Sequence, residues 1–213
     1  MPFIVIEALD AGGSQTQTDL LKERLATEGW NVESLHFPQE DRATGRMIYN
    51  KFLLNKNKQK FSRREQALLY IQDFFSRSED IAAYIKQPKT MVVLDRYCTS
   101  TFAYQTIGLP KQKKKEMLQW LEWVCFKETP TLPKPDAILF IDTPVAVSLK
   151  RLEDKKKDFF ETKEKLTAIR KSYLEVAKNQ RWVMMSGVDK QGNERTRPDI
   201  HQEIWKHVSK LTS

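Results

Sequence analysis

Phe3-Ile4-Val5-Ile6-Glu7-Ala8-Leu9-Asp10-Ala11-Gly12-Gly13-Ser14-Gln15-Thr16-Gln17 is the stretch that decides the fold. Its first four residues are apolar and largely β-branched, with Pro2 before them and small, polar residues behind. That is the pattern of a short buried strand running into a tight loop. From Thr16 the period changes, and Leu20, Leu21 and Leu25 recur at helical spacing until Gly29 stops them. A small-residue loop between strand and helix turns backbone N–H groups and a helix N-terminus toward one point, where an anion is stabilised. Such loops also occur without any phosphate, so the reading needs support from elsewhere in the chain.

Working outward, the same alternation repeats. Asn31 to Phe37 predicts a second strand, closed by Pro38. Met91-Val92-Val93-Leu94 predicts a third ending in Asp95, and Ala137 to Ile141 a fourth ending in Asp142. Trp182 to Met185 predicts a fifth. Helices are expected over Gly45–Leu54, in one long run from Arg63 to Ile85, around Thr101, and over Lys113–Phe126. Further helices are expected from Val145, over Lys163–Lys178, and from Pro198 to Leu211. Fully apolar strands alternating with helices imply a parallel sheet covered on both faces. Ligands of such sheets bind beyond the carboxyl ends of the strands, so the loops after Ile6, Phe37, Leu94 and Ile141 are the informative ones.

The 213 residues suit a single domain, 1–213, with a core of ordinary size. No apolar leader behind basic residues and no run of about 18 apolar residues is present, so neither a signal peptide nor a membrane span is expected. Cys98 and Cys125 are far apart and lack a zinc pattern, which suggests buried thiols in a reducing, cytoplasmic setting. The net charge of +8 favours anionic ligands without choosing among them. Its lysines cluster in Lys51–Lys60, Lys111–Lys115 and Lys155–Lys157 and read first as solvated faces. No basic and aromatic interleaving points to nucleic acid.

Asp95-Arg96-Tyr97, then Ser100, then Ala103-Tyr104-Gln105 follow the third strand. Phe37-Pro38, Leu68-Leu69-Tyr70, Leu132-Pro133-Lys134-Pro135-Asp136, Lys150-Arg151 and the stretch from Phe160-Glu161 to Tyr173 accompany them in order. Together they resemble the thymidylate kinase family, and the first loop then aligns with its Glu-Gly-x-Asp-Gly-x-Gly-Lys-Ser/Thr-Thr-Gln. The resemblance spans nearly the whole chain. It implies a P-loop NTPase-type three-layer α/β/α fold with a five-stranded parallel sheet, a phosphate loop at 7–17 and a short lid at about 151–162. It also implies transfer of the γ-phosphoryl group of ATP to dTMP with Mg²⁺, and a homodimer, to which Trp120, Trp123 and Phe126 would contribute either as interface or as core.

By the same resemblance, Gly12, Gly13, Ser14, Gln15 and Thr16 would meet the ATP phosphates, and Asp95 with Gln15 the Mg²⁺ ion. Asp95 ends a buried strand, where a carboxylate needs either that metal or Arg96 as its partner. Asp10 would contact the nucleotide 3′-hydroxyl, Arg96 would fork the acceptor phosphate, and Phe37 and Tyr70 would sandwich the base. Ser100, Tyr104 and Gln105 would face base and sugar, and Arg151 would approach ATP as the lid closes.

Three positions depart from the pattern. Ser14 replaces the phosphate-gripping lysine, with Gln15 at the metal-binding hydroxyl position. Phe74 replaces an acceptor-side arginine, and Phe159 replaces a lid arginine. Ala11 stands where some members carry a loop arginine. Losing one such donor costs roughly 3–4 kcal/mol in the transition state. The candidate replacements are Arg77 on the face of Phe74, Arg42 and Arg46 in the loop after Phe37-Pro38, and Lys155, Lys156 and Lys157 in the lid. Two other readings stay open: a nucleotide-binding module that has lost its donor site, and a kinase for another nucleoside monophosphate.

Overall fold

Every residue of Phe3–Ala8 is buried, a pattern only a central strand with covered faces produces. In the computed structural model, which describes residues 2–54, 61–127, 131–153 and 162–212, this strand, β1, lies in the middle of a five-stranded sheet. Its companions are β2 (Asn31–His36), β3 (Thr90–Asp95), β4 (Ala137–Asp142) and β5 (Val183–Ser186). They run in the order β2-β3-β1-β4-β5, every pairing parallel. β1 matches Phe3 to Val92 on one side and Ile4 to Ala137 on the other. Strand order reverses at β1, so the crevice beyond its carboxyl end is the ligand position of this architecture.

Alternate β1 side chains feed two cores. Ile4, Ile6 and Ala8 pack with Leu21 and Leu25 of α1 (Ser14–Thr27) and with Ile204 and Val208 of α9 (Arg197–Thr212). Phe3 and Val5 join the larger core on the other face. There they meet α3 (Arg63–Phe75), α5 (Cys98–Gln105), α6 (Lys111–Phe126) and α8 (Lys163–Asn179). This is the expected three-layer α/β/α arrangement, with short α2 (Ala43–Ile48), α4 (Ser78–Lys86) and α7 (Val145–Arg151) completing it.

Two elements differ from their expected form. The helix expected over Gly45–Leu54 is α2 followed by a π-helical turn, Tyr49–Leu53. The single helix expected from Arg63 to Ile85 is two. Ser62 and Glu65 start α3 with a reciprocal capping box. It stops at Phe75 because the Ser76 and Ser78 hydroxyls donate to the carbonyls of Asp73 and Phe75 at 2.7 and 2.9 Å. Arg77 is therefore outside α3 and does not share a helix face with Phe74.

Candidate active site

The loop from Leu9 to Gly13 closes through a hydrogen bond from Gly12 N to Leu9 O of 2.8 Å. A Cβ on Gly12 would lie 2.7 Å from that same oxygen, so no side chain fits. Gly13, with φ of 105°, leads directly into α1. Ala11 takes a left-handed φ of 54°, a strain of about 1 kcal/mol in a residue that is not glycine. The loop is pinned from outside by Thr143, whose hydroxyl donates to Gly12 O at 2.8 Å, and by Arg151, whose Nη1 donates to Ala11 O at 2.9 Å. Ser14 is buried at the first turn of α1, while the Gln15 amide donates to Asp19 at 3.2 Å.

Beside this loop β3 ends in Asp95 and Arg96. Asp95 Oδ2 meets His36 Nδ1 at 2.7 Å, and Oδ1 is buried without a hydrogen-bond partner. Burial pushes the Asp95 carboxyl up. The hydrogen bond and charge of His36, with Ser14 and Arg96, outweigh that and hold it below the ordinary carboxylate range. A buried, undonated carboxylate oxygen beside a phosphate loop suits a hydrated Mg²⁺ ion. Arg96 has a left-handed φ of 66°, a conformation that persists only where neighbours dictate it. Its guanidinium reaches Asp10 Oδ1 at 2.5 Å and the Tyr104 hydroxyl at 3.4 Å, while that hydroxyl donates to Asp10 Oδ2 at 3.2 Å. Desolvation opposes its charge, yet Tyr104 and Asp10 hold its pKa well above the ordinary arginine value.

Glu7 holds this corner in place and carried no role in the sequence reading. It is fully buried and accepts from Thr99 Oγ1 at 2.5 Å, Tyr97 N at 3.3 Å, Ser100 Oγ at 3.0 Å and the Tyr173 hydroxyl at 3.0 Å. Burial raises its pKa against the lowering influence of Thr99, Arg96, Tyr173 and Ser100. Ser100, expected to face base and sugar, lines the cleft, and its hydroxyl donates to Glu7 and to Tyr97 O.

An aromatic wall completes this side. Phe37 packs edge-on to Phe74 at 4.9 Å between centroids, and Phe74 to Tyr97 at 5.4 Å. Phe74 is 2 % exposed, which explains the missing arginine: the position is part of a ring cluster. Tyr70 and Gln105 line the same cleft. Arg77 does not line it. Its guanidinium binds Gln39 at 2.9 Å, Asp41 at 3.0 Å and Asp80 at 3.1 Å. Arg42 pairs with Asp80 at 3.7 Å and is likewise absent from the lining, while Arg46 donates to Asp41 O at 2.7 Å. All three arginines named as replacements, Arg77, Arg42 and Arg46, thus serve the 39–46 loop and α4, and none of them lines the cleft. Lys155, Lys156, Lys157 and Phe159 lie outside the described residues.

Phosphate loop, Asp95–Arg96 corner and aromatic wall open onto one cleft of about 690 Å³ at the carboxyl end of β1. Part of its lining carries no role in the sequence reading: Glu194, Arg195, Arg197 and Ile200, from the segment before α9 and its first turn, border the cleft on the side of the phosphate loop. An α1-to-α9 tie holds this part of the lining, since the Gln17 amide donates to Arg197 O at 2.9 Å. Among the described residues no group of three or more His, Cys, Asp or Glu side chains forms a metal cluster, and no helix is long and apolar enough to cross a membrane.

Comparison with known proteins agrees with this geometry. The family model for thymidylate kinase matches residues 6–197. The thymidylate kinase of Plasmodium falciparum is 28% identical over 209 residues, covering 98% of this chain and 90% of that protein. A probable thymidylate kinase of Thermococcus onnurineus is 31% identical over 214 residues, covering 95% and 94%. In fold, a solved thymidylate kinase from Candida albicans superposes with a TM-score of 0.79 at 22% identity, covering 99% of this chain and 92% of that one. With the matched model spanning both the phosphate loop and the Asp95-Arg96 corner, the chain belongs to the thymidylate kinase family of nucleoside monophosphate kinases.

Proposed function

We propose that this protein transfers the γ-phosphoryl group of ATP to dTMP. The observation that carries this reading is the meeting of Arg96, Asp10 and Tyr104 with the phosphate loop in one cleft. Phosphoryl transfer needs two anions held in line and the moving charge neutralised, which is largely positioning and electrostatics. Arg96 presents a bidentate fork to the acceptor phosphate and is oriented by Asp10 from behind. Asp10 also offers a carboxylate oxygen to the sugar hydroxyl. Phe37 and Tyr70 enclose the base, and Tyr104 and Gln105 border it. The loop amides and the α1 N-terminus receive the ATP phosphates, and Arg151 adds a cation at Ala11. When bound, Mg²⁺ would neutralise phosphate charge; Asp95 would hold it through Oδ1, with the amide oxygen of Gln15, which lines the same cleft, as a second ligand.

A coupled assay with dTMP, ATP and Mg²⁺ tests the reading. Turnover is expected, and dTMP is expected to surpass dUMP and dCMP as acceptor. A wild-type rate no higher than that of Arg96→Ala would replace it with the donor-less binding module, for which Ser14, Phe74 and Phe159 in the sequence are the motive. Leu68 on α3 and Trp123 on α6 are each 48 % exposed, and we propose a homodimer that covers exposed apolar side chains of this kind. Light scattering reads the mass directly. Cys98 and Cys125 are free and buried, which suits the reducing cytoplasm.

A further inference from the structure

We propose that Glu194 is a positioning residue that holds Arg151 over the phosphate loop, so that this arginine fills the role left open at Ser14; the proposal rests on the kinase reading above.

The geometry is a clamp with two jaws. Arg151 Nη1 donates to Ala11 O at 2.9 Å, and Nη2 forms an ion pair with Glu194. The guanidinium thus lies along the loop: a Cβ placed on Gly13 would be 3.7 Å from Nη1. Glu194 stands on a hairpin that is itself built. Val188 bridges Glu194, and the Asp189 carboxylate accepts from the amides of Gln191 and Asn193 at 2.9 and 2.8 Å. Arg195 closes the base, its N donating to Gly187 O at 3.0 Å and its guanidinium meeting Glu203 at 2.6 Å. Gly187 N donates to Asp142 O at 2.9 Å, and a Cβ there would fall 2.9 Å from Thr143 Oγ1, the hydroxyl that pins Gly12. One rigid path therefore joins the phosphate loop to Glu194.

The pair is not a stability device. Its side chains are 34% and 46% exposed, and ion pairs so open to water add little to folding. What the pair does is order a long, rotamer-rich arginine before the triphosphate arrives, which removes an entropic penalty from binding. With one fork edge on the carboxylate and loop, the remaining N–H groups are free to face phosphate oxygens.

The test measures constants for ATP and dTMP, and melting temperature, in wild type, Glu194→Ala, Arg151→Ala and the double variant. Arg151→Ala is expected to lower kcat roughly 10²–10³-fold. Glu194→Ala is expected to lower kcat/KM for ATP about tenfold, with KM for dTMP and the melting temperature unmoved. The double variant is expected to match Arg151→Ala, since Glu194 acts only through that residue. An unchanged or improved kcat/KM for ATP in Glu194→Ala overturns the proposal, as does additivity in the double variant or a fall in melting temperature with both KM values rising. Absence of turnover in wild type would refute the kinase reading alone. A fluorescent ATP analogue then decides the clamp: about tenfold weaker binding to Glu194→Ala supports it, and equal or tighter binding overturns it. No binding to wild type overturns both.

Discussion

The two halves of the cleft are built by different means. On the acceptor side, Arg96, Asp10 and Tyr104 stand on a buried support, with Glu7, Tyr97, Phe37 and Phe74 each no more than 2% exposed. On the donor side, Arg151 and Glu194 come from a helix end and a hairpin and remain partly in water. The acceptor half is an extension of the core and is rigid for the same reasons the core is. The donor half is a set of loops tied at a few atoms. A substitution should therefore cost stability on one side and mostly rate on the other.

The largest expected effect breaks the acceptor side from beneath. Glu7→Ala leaves the donors of Tyr97, Thr99, Ser100 and Tyr173 unmatched in a dry interior and should destabilise by about 3–5 kcal/mol. Thermal melting reads this as a fall of roughly 10 °C; a fall of a degree or two would mean that Glu7 is replaceable by water. Arg96→Ala comes next, with kcat/KM for dTMP lowered by roughly 10²–10³ and a smaller fall in melting temperature than Glu7→Ala, because Asp10 loses its ion-pair partner. Phe74→Leu sharpens the comparison further: loss of ring contacts with Phe37 and Tyr97 should cost about 1–2 kcal/mol and raise KM for dTMP but not for ATP. Equal changes in both KM values would show the two halves to be mechanically coupled.

The smallest effect is a pH dependence. The folded pKa of Glu7 is raised, so the native state binds its proton more tightly than the unfolded chain. Its contribution is complete below the ordinary carboxylate pKa and is lost as pH rises through the raised value, with a slope below about 1.4 kcal/mol per pH unit. Melting curves of wild type and Glu7→Gln should converge toward that higher pH in the wild type's disfavour; parallel curves would show that Glu7 does not titrate there.

Much was legible in residues alone. Apolar strands ending at Asp95 and Asp142 required a buried parallel sheet, because period-2 alternation is absent where both faces are covered. Gly12 and Gly13 could be read as loop glycines, because close approach and positive φ leave few alternatives. The Asp95-Arg96 pair, Asp10, Phe37, Tyr70 and Tyr104 stand out in the sequence motifs and all line the cleft. The break after Phe75 is not legible in the sequence, because serine hydroxyls that terminate a helix leave no mark in hydrophobic spacing.

Tertiary structure alone decided which cations face the cleft. Arg77 and Arg151 look alike in sequence, yet Asp41 and Asp80 draw the first away while Ala11 O and Glu194 draw the second in. Asp80 is a neighbour of Arg77 in sequence, but Asp41, Glu194 and Ala11 lie 36, 43 and 140 residues from the arginines they hold, and no local pattern encodes them. Glu7 and Glu194 were invisible for the same physical reason. A carboxylate's role depends on which donors surround it, and those donors are assembled only when the chain has folded.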